Sequence, residues 1–362
     1  MDRTIEPAPP SGSAEPLAEA WTGAPAEIRA GTPAAAVAAT ALQVLRFLAA
    51  ANDRGRRVAL VSITALTGSS SRPVGTLMGV ADDGSFAGSF SGGCIEAAVV
   101  AEAREAIRDG KVRQVRYGAG SPYLDIRLPC GGGVDLLFQP DPDSEAIRHA
   151  VALLEDRTPL TLVQAAGGGL RAHSGPVSEE TGWRGDEFIA WYPPPLKLVI
   201  LGHGGESLSM VRLGLTFGAE VEMLSPDERM VALARELGAR GKALAVPGPS
   251  PDLVTDRWSA VVFLFHDHAW EPLLLQQALA QPAFFIGAMG SRRTHAGRLD
   301  ALRDIGVSEE SLARIVSPLG IIPSARDPVT LALSALTQVV DGYRRISEPP
   351  KEPARDRHAG AI

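Results

Sequence analysis

The sequence lacks three features, and each absence excludes a class of protein. Two cysteines in 362 residues cannot build a disulfide framework, so we expect free thiols in a reducing cytoplasm. A formal net charge of -7 argues against a nucleic acid or an anionic membrane as the main partner. There is also no long apolar run, because Gln43 and Arg46 interrupt the stretch PAAAVAATALQVLRFLAAA. This stretch therefore predicts the helix of a water-soluble protein and no membrane span.

Composition and proline placement predict two domains between disordered ends. Residues 1–30 and 347–362 are rich in proline and in small or charged residues, which is typical of disorder. Three consecutive prolines in WYPPPLK separate a domain at 31–193 from a domain at 194–346. In the first domain, hairpin patterns such as TLMGVADDGSFAGSF and well-separated helices favour an α+β architecture.

The second domain repeats the pattern of a buried strand followed by a helix. Short apolar runs, typical of strands covered on both faces, occur at LKLVILG, VEML, SAVVFLF and AFFIGAMG. Strands and helices that alternate at this spacing form a parallel sheet. The sequence therefore predicts an α/β protein in which an N-terminal α+β domain precedes a Rossmann-like, doubly wound parallel-sheet domain.

A glycine-rich turn, GHGGES, follows the first of these strands and opens a helix. Its glycines are Gly202, Gly204 and Gly205. They would let a phosphate approach the free N–H groups at the helix start. The dinucleotide fingerprint is incomplete, because Ser207, although small, stands where the third glycine or alanine is expected. Ser225 likewise replaces the acid that holds a ribose, with Asp227 two positions on. Phosphate binding and a turn used only for packing both remain open.

Polar side chains follow the next two buried strands, where ligands of parallel sheets bind. They are His266, Asp267 and His268 after SAVVFLF, and Ser291, Arg292 and Arg293 after AFFIGAMG. Two cations in a first helical turn oppose the helix dipole, which favours an anionic ligand over a merely solvated helix start. With Gly287 and Gly290 they would form a phosphate site. Two histidines without a third ligand at recognisable spacing only weakly indicate zinc or iron.

Both cysteines lie in glycine-rich turns, SGGCIE and PCGGG. The helix start beside Cys94 would stabilise a thiolate, and Cys130 precedes three glycines in a loop with little side-chain cover. Each thiol is thus a candidate nucleophile or soft-metal ligand, and the alternative is an inert buried side chain. We expect the two sulfurs to lie near each other and to face the crevice at Gly202 and Arg292.

Six segments, in order, carry a family resemblance: SSSRPVGTLMGV, DDGSFAGSFSGGCIEAAV, LPCGGGVDLLFQP, LVILGHGGES, FHDHAWEPLLL and FFIGAMGSRRTHAGRLDALRDIGVSEESLARI. Together, over about residues 35–345, they resemble the XdhC/CoxI family of xanthine dehydrogenase accessory proteins. The resemblance implies a chaperone rather than a catalyst. Such a protein binds molybdenum cofactor, a molybdopterin, and supports its sulfuration by a cysteine desulfurase. It then inserts the cofactor into an apo molybdenum hydroxylase of the xanthine, aldehyde or carbon monoxide dehydrogenase type.

The resemblance also implies where the cofactor binds. Its phosphate end is expected at Gly202, Gly204, Gly205, Ser291, Arg292 and Arg293, and its molybdenum at Cys94 and Cys130. The groups expected to orient it are Arg72, Glu96, His266 and Asp267, and Glu96 joins Cys94 as a candidate for catalysis. We also expect a homodimer, because two small domains joined by a proline linker leave apolar surface to cover.

One segment departs from the family pattern, and two other functions remain open. The segment GIIPSARDPVTLAL carries Pro323 and Arg326, which with Ser225 leaves the nucleotide form of the cofactor undefined, including a cytosine dinucleotide. The first alternative is an NAD(P)-dependent oxidoreductase with Ser225 and Arg229 at a 2′-phosphate. The second is a thiol-dependent enzyme or sulfur carrier with Cys94 as the nucleophile.

Overall fold

The computed structural model describes residues 40–91, 95–121, 131–175 and 181–347. Two antiparallel sheets form the first half of the chain, and a six-stranded parallel sheet forms the second. The predicted fold class is therefore confirmed. The ends predicted to be disordered lie outside the described residues, apart from Ser347, and the boundary at 193/194 stays a prediction. None of the described helices combines the length and apolar character needed to cross a bilayer.

The first half contains α1 (Ala41–Asp53), β1 (Val58–Thr67), β2 (Leu77–Ala81), β3 (Phe86–Ala87), α2 (Glu96–Asp109), β4 (Arg113–Gly118), β5 (Gly133–Pro140), α3 (Ser144–Glu155), β6 (Leu160–Ala165), β7 (Leu170–Ser174), β8 (Gly182–Arg184) and β9 (Glu187–Tyr192). One sheet has the order β3-β2-β1-β5-β4 and the other β7-β6-β9-β8, with every pair antiparallel. The hairpin predicted around DDG is confirmed as β2 and β3. The sequence also predicts a strand at YLDIRL, and this segment lies outside the described residues.

Helix α1 shows how the local sequence positions the core of this half. Thr40 caps the helix by a reciprocal pair of hydrogen bonds with Gln43, which satisfies two backbone donors of the first turn. The apolar face then buries Leu45 and Leu48 completely against both sheets. Gly79 of β2 is required there, because a Cβ would lie 2.9 Å from the Leu48 side chain.

The second half contains β10 (Lys197–Gly202), α4 (Gly205–Phe217), β11 (Glu220–Ser225), α5 (Glu228–Glu236), β12 (Arg240–Ala243), β13 (Ser259–Leu264), α6 (Glu271–Leu279), β14 (Phe285–Ala288), α7 (Arg292–Asp304), α8 (Glu309–Leu312), β15 (Ile315–Val316) and α9 (Pro328–Ser347). The sheet order is β12-β11-β10-β13-β14-β15, with parallel pairing throughout. The order reverses direction between β10 and β13. This is the switch point where open parallel sheets bind ligands.

The two halves are tied together at the amino ends of the parallel strands. Arg157 donates from Nε to Asp256 (2.7 Å) and from Nη1 to the carbonyl of Pro195 (2.5 Å). It also lies 3.6 Å from Glu220, the first residue of β11. Because Asp256 precedes β13 and Pro195 precedes β10, a single side chain of the first half contacts three neighbouring strands.

Candidate functional site

The carboxyl ends of β10 and β13 bring the GHGGES turn and the HDH segment into direct contact. The rings of His203 and His266 are 6.1 Å apart, and Nε2 of His266 lies 2.8 Å from Oε1 of Glu206. Glu206 is buried, whereas 64% of the His266 side chain is exposed. The glycine turn and the HDH segment therefore meet at the ends of these two strands, and their binding of a ligand stays a prediction. We call the carboxyl edge of the parallel sheet, with these loops, the mouth.

The Glu206 carboxylate is folded back onto the glycine turn. A Cβ on Gly204 would lie 2.7 Å from its Oε1, and Gly204 has φ +123° and ψ 176°, a conformation essentially restricted to glycine. The carboxylate thus fills space directly beside the start of α4, where the helix dipole attracts negative charge. An anion of this chain occupies the region in which a dinucleotide-binding turn receives a phosphate.

Three buried polar atoms of the same turn have no hydrogen-bond partner. They are Nδ1 of His203, Oε1 of Glu206 and Oγ of Ser207. Although His266 is close to Oε1, the contact lacks the alignment of a hydrogen bond. Buried polar atoms are nearly always paired in folded proteins, so each of these atoms is a candidate for contact with a ligand.

An open cavity adjoins the turn. It has a volume of about 560 Å³ and its walls are His203, Pro226, Asp227, Glu228, Arg229, Asp267 and Trp270. Asp227 and Asp267 cap helical turns through their carboxylates, which accept from the N–H groups of Arg229 and Ala269. The predicted binding residue Asp267 therefore lines the cavity. Trp270 stacks on Phe265 with ring centroids 6.3 Å apart, which gives the cavity an aromatic wall.

A second histidine–glutamate pair lies on the other side of the HDH segment. Nδ1 of His268 is 3.2 Å from Oε2 of Glu271, whose carboxylate also pairs with Arg298 of α7. Arg298 donates further to the carbonyl of Met289 (2.6 Å). This buried network fixes the loops after β13 and β14 relative to each other. Burial lowers the pKa of His295, one turn earlier in α7, and the nearby Arg298 charge lowers it further.

The start of α7 presents two exposed cations, as predicted. Ser291 is the N-cap, and its hydroxyl accepts from the N–H of Thr294. Arg292 and Arg293 are exposed, and no carboxylate of the described residues lies within ion-pair distance of either. Gly287, predicted to help bind an anion, instead lies inside β14, where a Cβ would meet Leu319 at 2.6 Å. Glycine at this position therefore allows the Leu319 side chain to pack against β14.

Glu96, predicted as an orienting or catalytic group, fastens the loop that leads into α2. Its carboxylate accepts from the hydroxyls of Ser89 and Ser91 and from the backbone N–H groups of Ser91 and Ile95. Burial by itself raises the pKa of Glu96, but these hydrogen bonds outweigh burial and lower it to about 2. The ionised carboxylate therefore positions the segment on both sides of Cys94. Cys94 itself lies outside the described residues.

Arg72 lines a second cavity, of about 430 Å³, in the first half of the chain. Its Nε donates to the carbonyl of Ser89, so the loop that Glu96 fastens also forms part of this cavity. Trp191 contributes another wall, and its buried indole Nε1 has no hydrogen-bond partner. The Arg72 cavity thus combines a cation with an unpaired donor.

The Arg72 cavity and the mouth lie at opposite edges of the parallel sheet. Two cavity-lining residues touch the amino edge: the Trp191 ring is 6.0 Å from the ring of Trp258, which precedes β13, and Thr40 packs 3.3 Å from the Cβ position of Gly218, which precedes β11. A six-residue strand spans roughly 20 Å. The structure therefore does not bring Arg72 together with His266. The predicted convergence of Cys94 and Cys130 on the mouth involves residues outside the described ones.

The residues at the mouth fit an NAD(P) cofactor poorly. Ser225, expected at a 2′-phosphate, is fully buried, and its hydroxyl accepts from the N–H of Asp227. Arg229 does line the cavity. However, the Glu206 carboxylate would repel a pyrophosphate at the glycine turn. Among the described residues, no group of three or more potential ligands is arranged to hold a metal ion, which also leaves the zinc or iron alternative without support.

Sequence analysis did not identify Glu206, Glu271 or Arg298 as site residues. A glutamate in the first turn of a helix after a glycine turn is a common stabilising choice, so Glu206 gave no separate signal. Glu271 and Arg298 are 27 positions apart, and only the fold brings them into contact. The sequence signal for Arg298 was its position on the inward face of α7, because an arginine is seldom buried without a partner.

Comparisons with known proteins agree with this architecture. A family model described as the XdhC Rossmann domain matches residues 198–339, and one described as the XdhC and CoxI family matches residues 51–118. Over 299 residues the chain is 35% identical to the molybdenum cofactor insertion chaperone PaoD of Escherichia coli strain K12, covering 82% of this chain and 86% of that protein. The uncharacterized protein YqeB of the same organism is 23% identical over 209 residues, which cover 55% of this chain and 36% of YqeB.

A solved structure shares the fold across both halves. It is a Bacillus halodurans protein described as a xanthine dehydrogenase, with a TM-score of 0.67 and 18% sequence identity. The match covers 85% of this chain and 98% of that one. The fold and the extended similarity to PaoD, together with the two family models, lead to one conclusion: the chain belongs to the XdhC and CoxI family.

Proposed function

We propose that this chain binds molybdenum cofactor and delivers it to an apo molybdenum hydroxylase, acting as an insertion chaperone rather than as a catalyst. The observation that carries the proposal is the 35% identity to a protein named as a molybdenum cofactor insertion chaperone. The match covers 82% of this chain, so both halves take part in it. A match restricted to one half would support no role for the other half.

The chemistry of the described residues supports a cofactor with a phosphate and a polar ring system. Exposed, unpaired guanidinium groups bind phosphate through parallel hydrogen bonds, and Arg292 and Arg293 have this character. In the proposal, they and Ser291 hold the phosphate. The glycine turn (Gly202, Gly204, Gly205) and Asp267 contact the rest of the cofactor at the mouth, and His266 moves aside to admit it.

The molybdenum end of the proposal involves the two thiols. Thiolates are soft ligands, suited to molybdenum and to sulfur in transit. In the proposal, Cys94 and Cys130 approach the metal, and Glu96 and Arg72 position the loop that carries Cys94. Sulfuration by a cysteine desulfurase would take place at this end. The cytosine dinucleotide form of the cofactor and the type of client hydroxylase belong to the same proposal.

The test is cofactor retention by the full chain, co-expressed with the enzymes of cofactor biosynthesis. We expect the purified chain to carry molybdenum, measured by plasma mass spectrometry, and pterin, measured by fluorescence after oxidation. The double variant Arg292→Ala/Arg293→Ala should lose both, and Cys94→Ala should lose molybdenum preferentially. Arg344→Ala, which removes an exposed arginine near the carboxyl end of α9, is the matched control and should retain both. A folded wild-type chain without molybdenum or pterin would refute the proposal.

The same material tests the finer parts of the proposal. Acid hydrolysis of the retained cofactor should release cytidine monophosphate if the dinucleotide form is bound, and no nucleotide if it is not. Co-purification with a tagged cysteine desulfurase should depend on Cys94 if sulfur is delivered at that thiol. Reconstitution of apo enzymes of the xanthine, aldehyde and carbon monoxide dehydrogenase types, compared side by side, would identify the client.

A homodimer forms part of this proposal, for a geometric reason. The Arg72 cavity and the mouth face opposite edges of the sheet, roughly 20 Å apart. One cofactor that contacts both must therefore use the Arg72 cavity of one chain and the mouth of another. We expect a dimer in light scattering. Mixed dimers of a Cys94→Ala chain and an Arg292→Ala/Arg293→Ala chain should then recover up to one intact site, whereas no recovery would indicate that each chain works alone.

A further inference from the structure

The glycine turn contains buried polar atoms that form no hydrogen bond within the described residues. They are Nδ1 of His203, Oγ of Ser207 and Oε1 of Glu206, and the last of these lies 2.8 Å from Nε2 of His266. The described residues contain only three other such atoms, at Trp191, His295 and Ser347. Buried polar atoms are normally paired, so a concentration of unpaired ones marks a surface that a ligand completes.

The charge at this turn selects the kind of ligand. A carboxylate accepts hydrogen bonds and donates none, and Glu206 is 94% buried, leaving only 6% of its surface exposed. A phosphate placed beside it would bring two negative groups together in a region of low dielectric constant, which is unfavourable. Ligand N–H groups, in contrast, would form hydrogen bonds assisted by the charge of the carboxylate.

The exposed neighbour of Glu206 is a replaceable contact. Nε2 of His266 lies 2.8 Å from Oε1, but the two atoms are not aligned as a hydrogen bond. The His266 side chain is 64% exposed and therefore free to move aside. Ligand donors that align better with Oε1 than His266 does would replace it at little cost.

Aromatic groups beside the turn favour a flat ligand. The His203 ring is 5.8 Å from Phe265, and Phe265 stacks on Trp270 at the edge of the adjoining cavity. An aromatic side chain at the edge of a cavity, such as Trp270, can form an offset or tilted stack with a planar heteroaromatic ligand. The cavity walls add the carboxylates of Asp227 and Asp267, which are further acceptors.

We propose that the mouth binds the aminopyrimidinone edge of a fused heteroaromatic ring through Glu206, with its ring N–H and exocyclic amino group both donating to the carboxylate. The phosphate end then belongs only to Ser291, Arg292 and Arg293. Identification of the ring as the pterin of molybdenum cofactor rests on the proposed function. A guanine base carries the same edge, so the recognition chemistry is shared by both sources.

The experiment is calorimetric titration of the full chain with neopterin, guanosine, pyrophosphate and NADH as separate probes. Wild type should bind neopterin, and neither pyrophosphate nor NADH should compete with it. Glu206→Gln should weaken neopterin binding about tenfold or more, because an amide opposes its own donor to the ligand amino group. The matched control is Glu236→Gln, at an exposed position at the end of α5 and outside the cavity wall, which should bind as wild type does.

A second variant keeps the proposal testable if Glu206→Gln does not fold. His266→Ala removes an exposed competitor for Oε1 and should tighten neopterin binding. Guanosine identifies the source of the ring: selective binding of neopterin indicates a pterin, and equal binding of guanosine indicates that a guanine nucleotide also fits. Neopterin binding that is unchanged in Glu206→Gln, or displaced from wild type by pyrophosphate, would overturn the proposal.

The outcomes separate this proposal from the proposed function. A chain that retains molybdenum but binds neopterin equally well without the Glu206 carboxylate refutes only the assignment of the ring. A chain that binds neopterin through Glu206 but never carries molybdenum refutes only the chaperone function.

Discussion

Arg298 and Glu271 form a buried ion pair at the mouth, with Nε of Arg298 2.9 Å from Oε2 of Glu271 and 2% of each side chain exposed. The guanidinium also donates to the carbonyl of Met289 after β14, while Glu271 begins α6 after β13. The pair therefore holds the loops after β13 and β14 at a fixed separation. His268, which contacts the same carboxylate, is positioned by it.

Removing the cation of this pair should destabilise the chain strongly. Arg298→Met leaves the Glu271 carboxylate buried with His268 as its remaining neighbour, and the loss of one partner of a buried ion pair costs about 3–5 kcal/mol. The free energy of unfolding in urea measures the loss. Arg303→Met, on the same helix, breaks an exposed pair with Glu309 and should cost at most about 1 kcal/mol. Equal losses in the two variants would contradict a special role for the buried pair.

Glu96 should make stability depend on pH in the acid range. Its pKa is lowered from 4.5 to about 2 in the folded chain, so its contribution is complete above about pH 4.5 and disappears as the pH falls toward 2. At neutral pH, Glu96→Gln should lose on the order of 3 kcal/mol, because one pKa unit corresponds to about 1.4 kcal/mol. The difference from wild type, measured by chemical unfolding, should shrink below pH 4.5. Glu105→Gln, at a half-exposed position of α2, should show no such trend.

Arg157 should be destabilising through its backbone and stabilising through its side chain. Its φ is +61°, in the left-handed region, while its guanidinium donates hydrogen bonds to the Asp256 carboxylate and to the carbonyl of Pro195. Arg157→Ala and Arg157→Gly both lose these hydrogen bonds, but glycine adopts the left-handed conformation without steric strain. We therefore expect the glycine variant to be the more stable by about 0.4–1 kcal/mol, and both to be less stable than wild type. Faster hydrogen exchange at the N–H of Lys197, which donates to the carbonyl of Trp258 beside these contacts, would report the loosening.

Gly204 and Glu206 should be energetically coupled. Gly204→Ala places a Cβ 2.7 Å from the Glu206 carboxylate and strains the backbone, at a combined cost of about 1–3 kcal/mol or more. Adding Glu206→Ala relieves the contact but not the backbone strain. A double-mutant cycle on unfolding free energies should therefore give a clearly non-additive result. Gly297→Ala, in α7 with open space at its Cβ position, serves as the control and should be neutral or stabilising.

The Rossmann-like half was predictable because its strands are covered on both faces. The run LKLVILG became β10, with five of its six residues buried, and the helix expected through Phe217 ends there. Strands β7, β8, β12 and β15 were missed. They are short or largely exposed, so the apolar pattern that predicts a buried strand is absent from them.

The position of the candidate site was predictable from the sequence, but the chemistry of its side chains was not. Strand ends identified the segments that meet at the mouth, since ligands of parallel sheets bind at carboxyl ends. The orientation of side chains was not predictable: glycines suggested a phosphate, whereas the carboxylate two residues after Gly204 turns back onto the same space. The separation of Arg72 from the mouth depends on how the halves pack. A contact such as that between Trp191 and Trp258 cannot be predicted from the spacing of residues in the sequence.

The hydrogen bonds of Arg157 between the two halves determine how a substitution in one half can affect the other. The described contacts between the halves gather at the amino edge of the parallel sheet, whereas the residues described at the mouth all come from residues 202–298. A substitution at the contacts of the first half would therefore reach the mouth only through the length of the parallel strands.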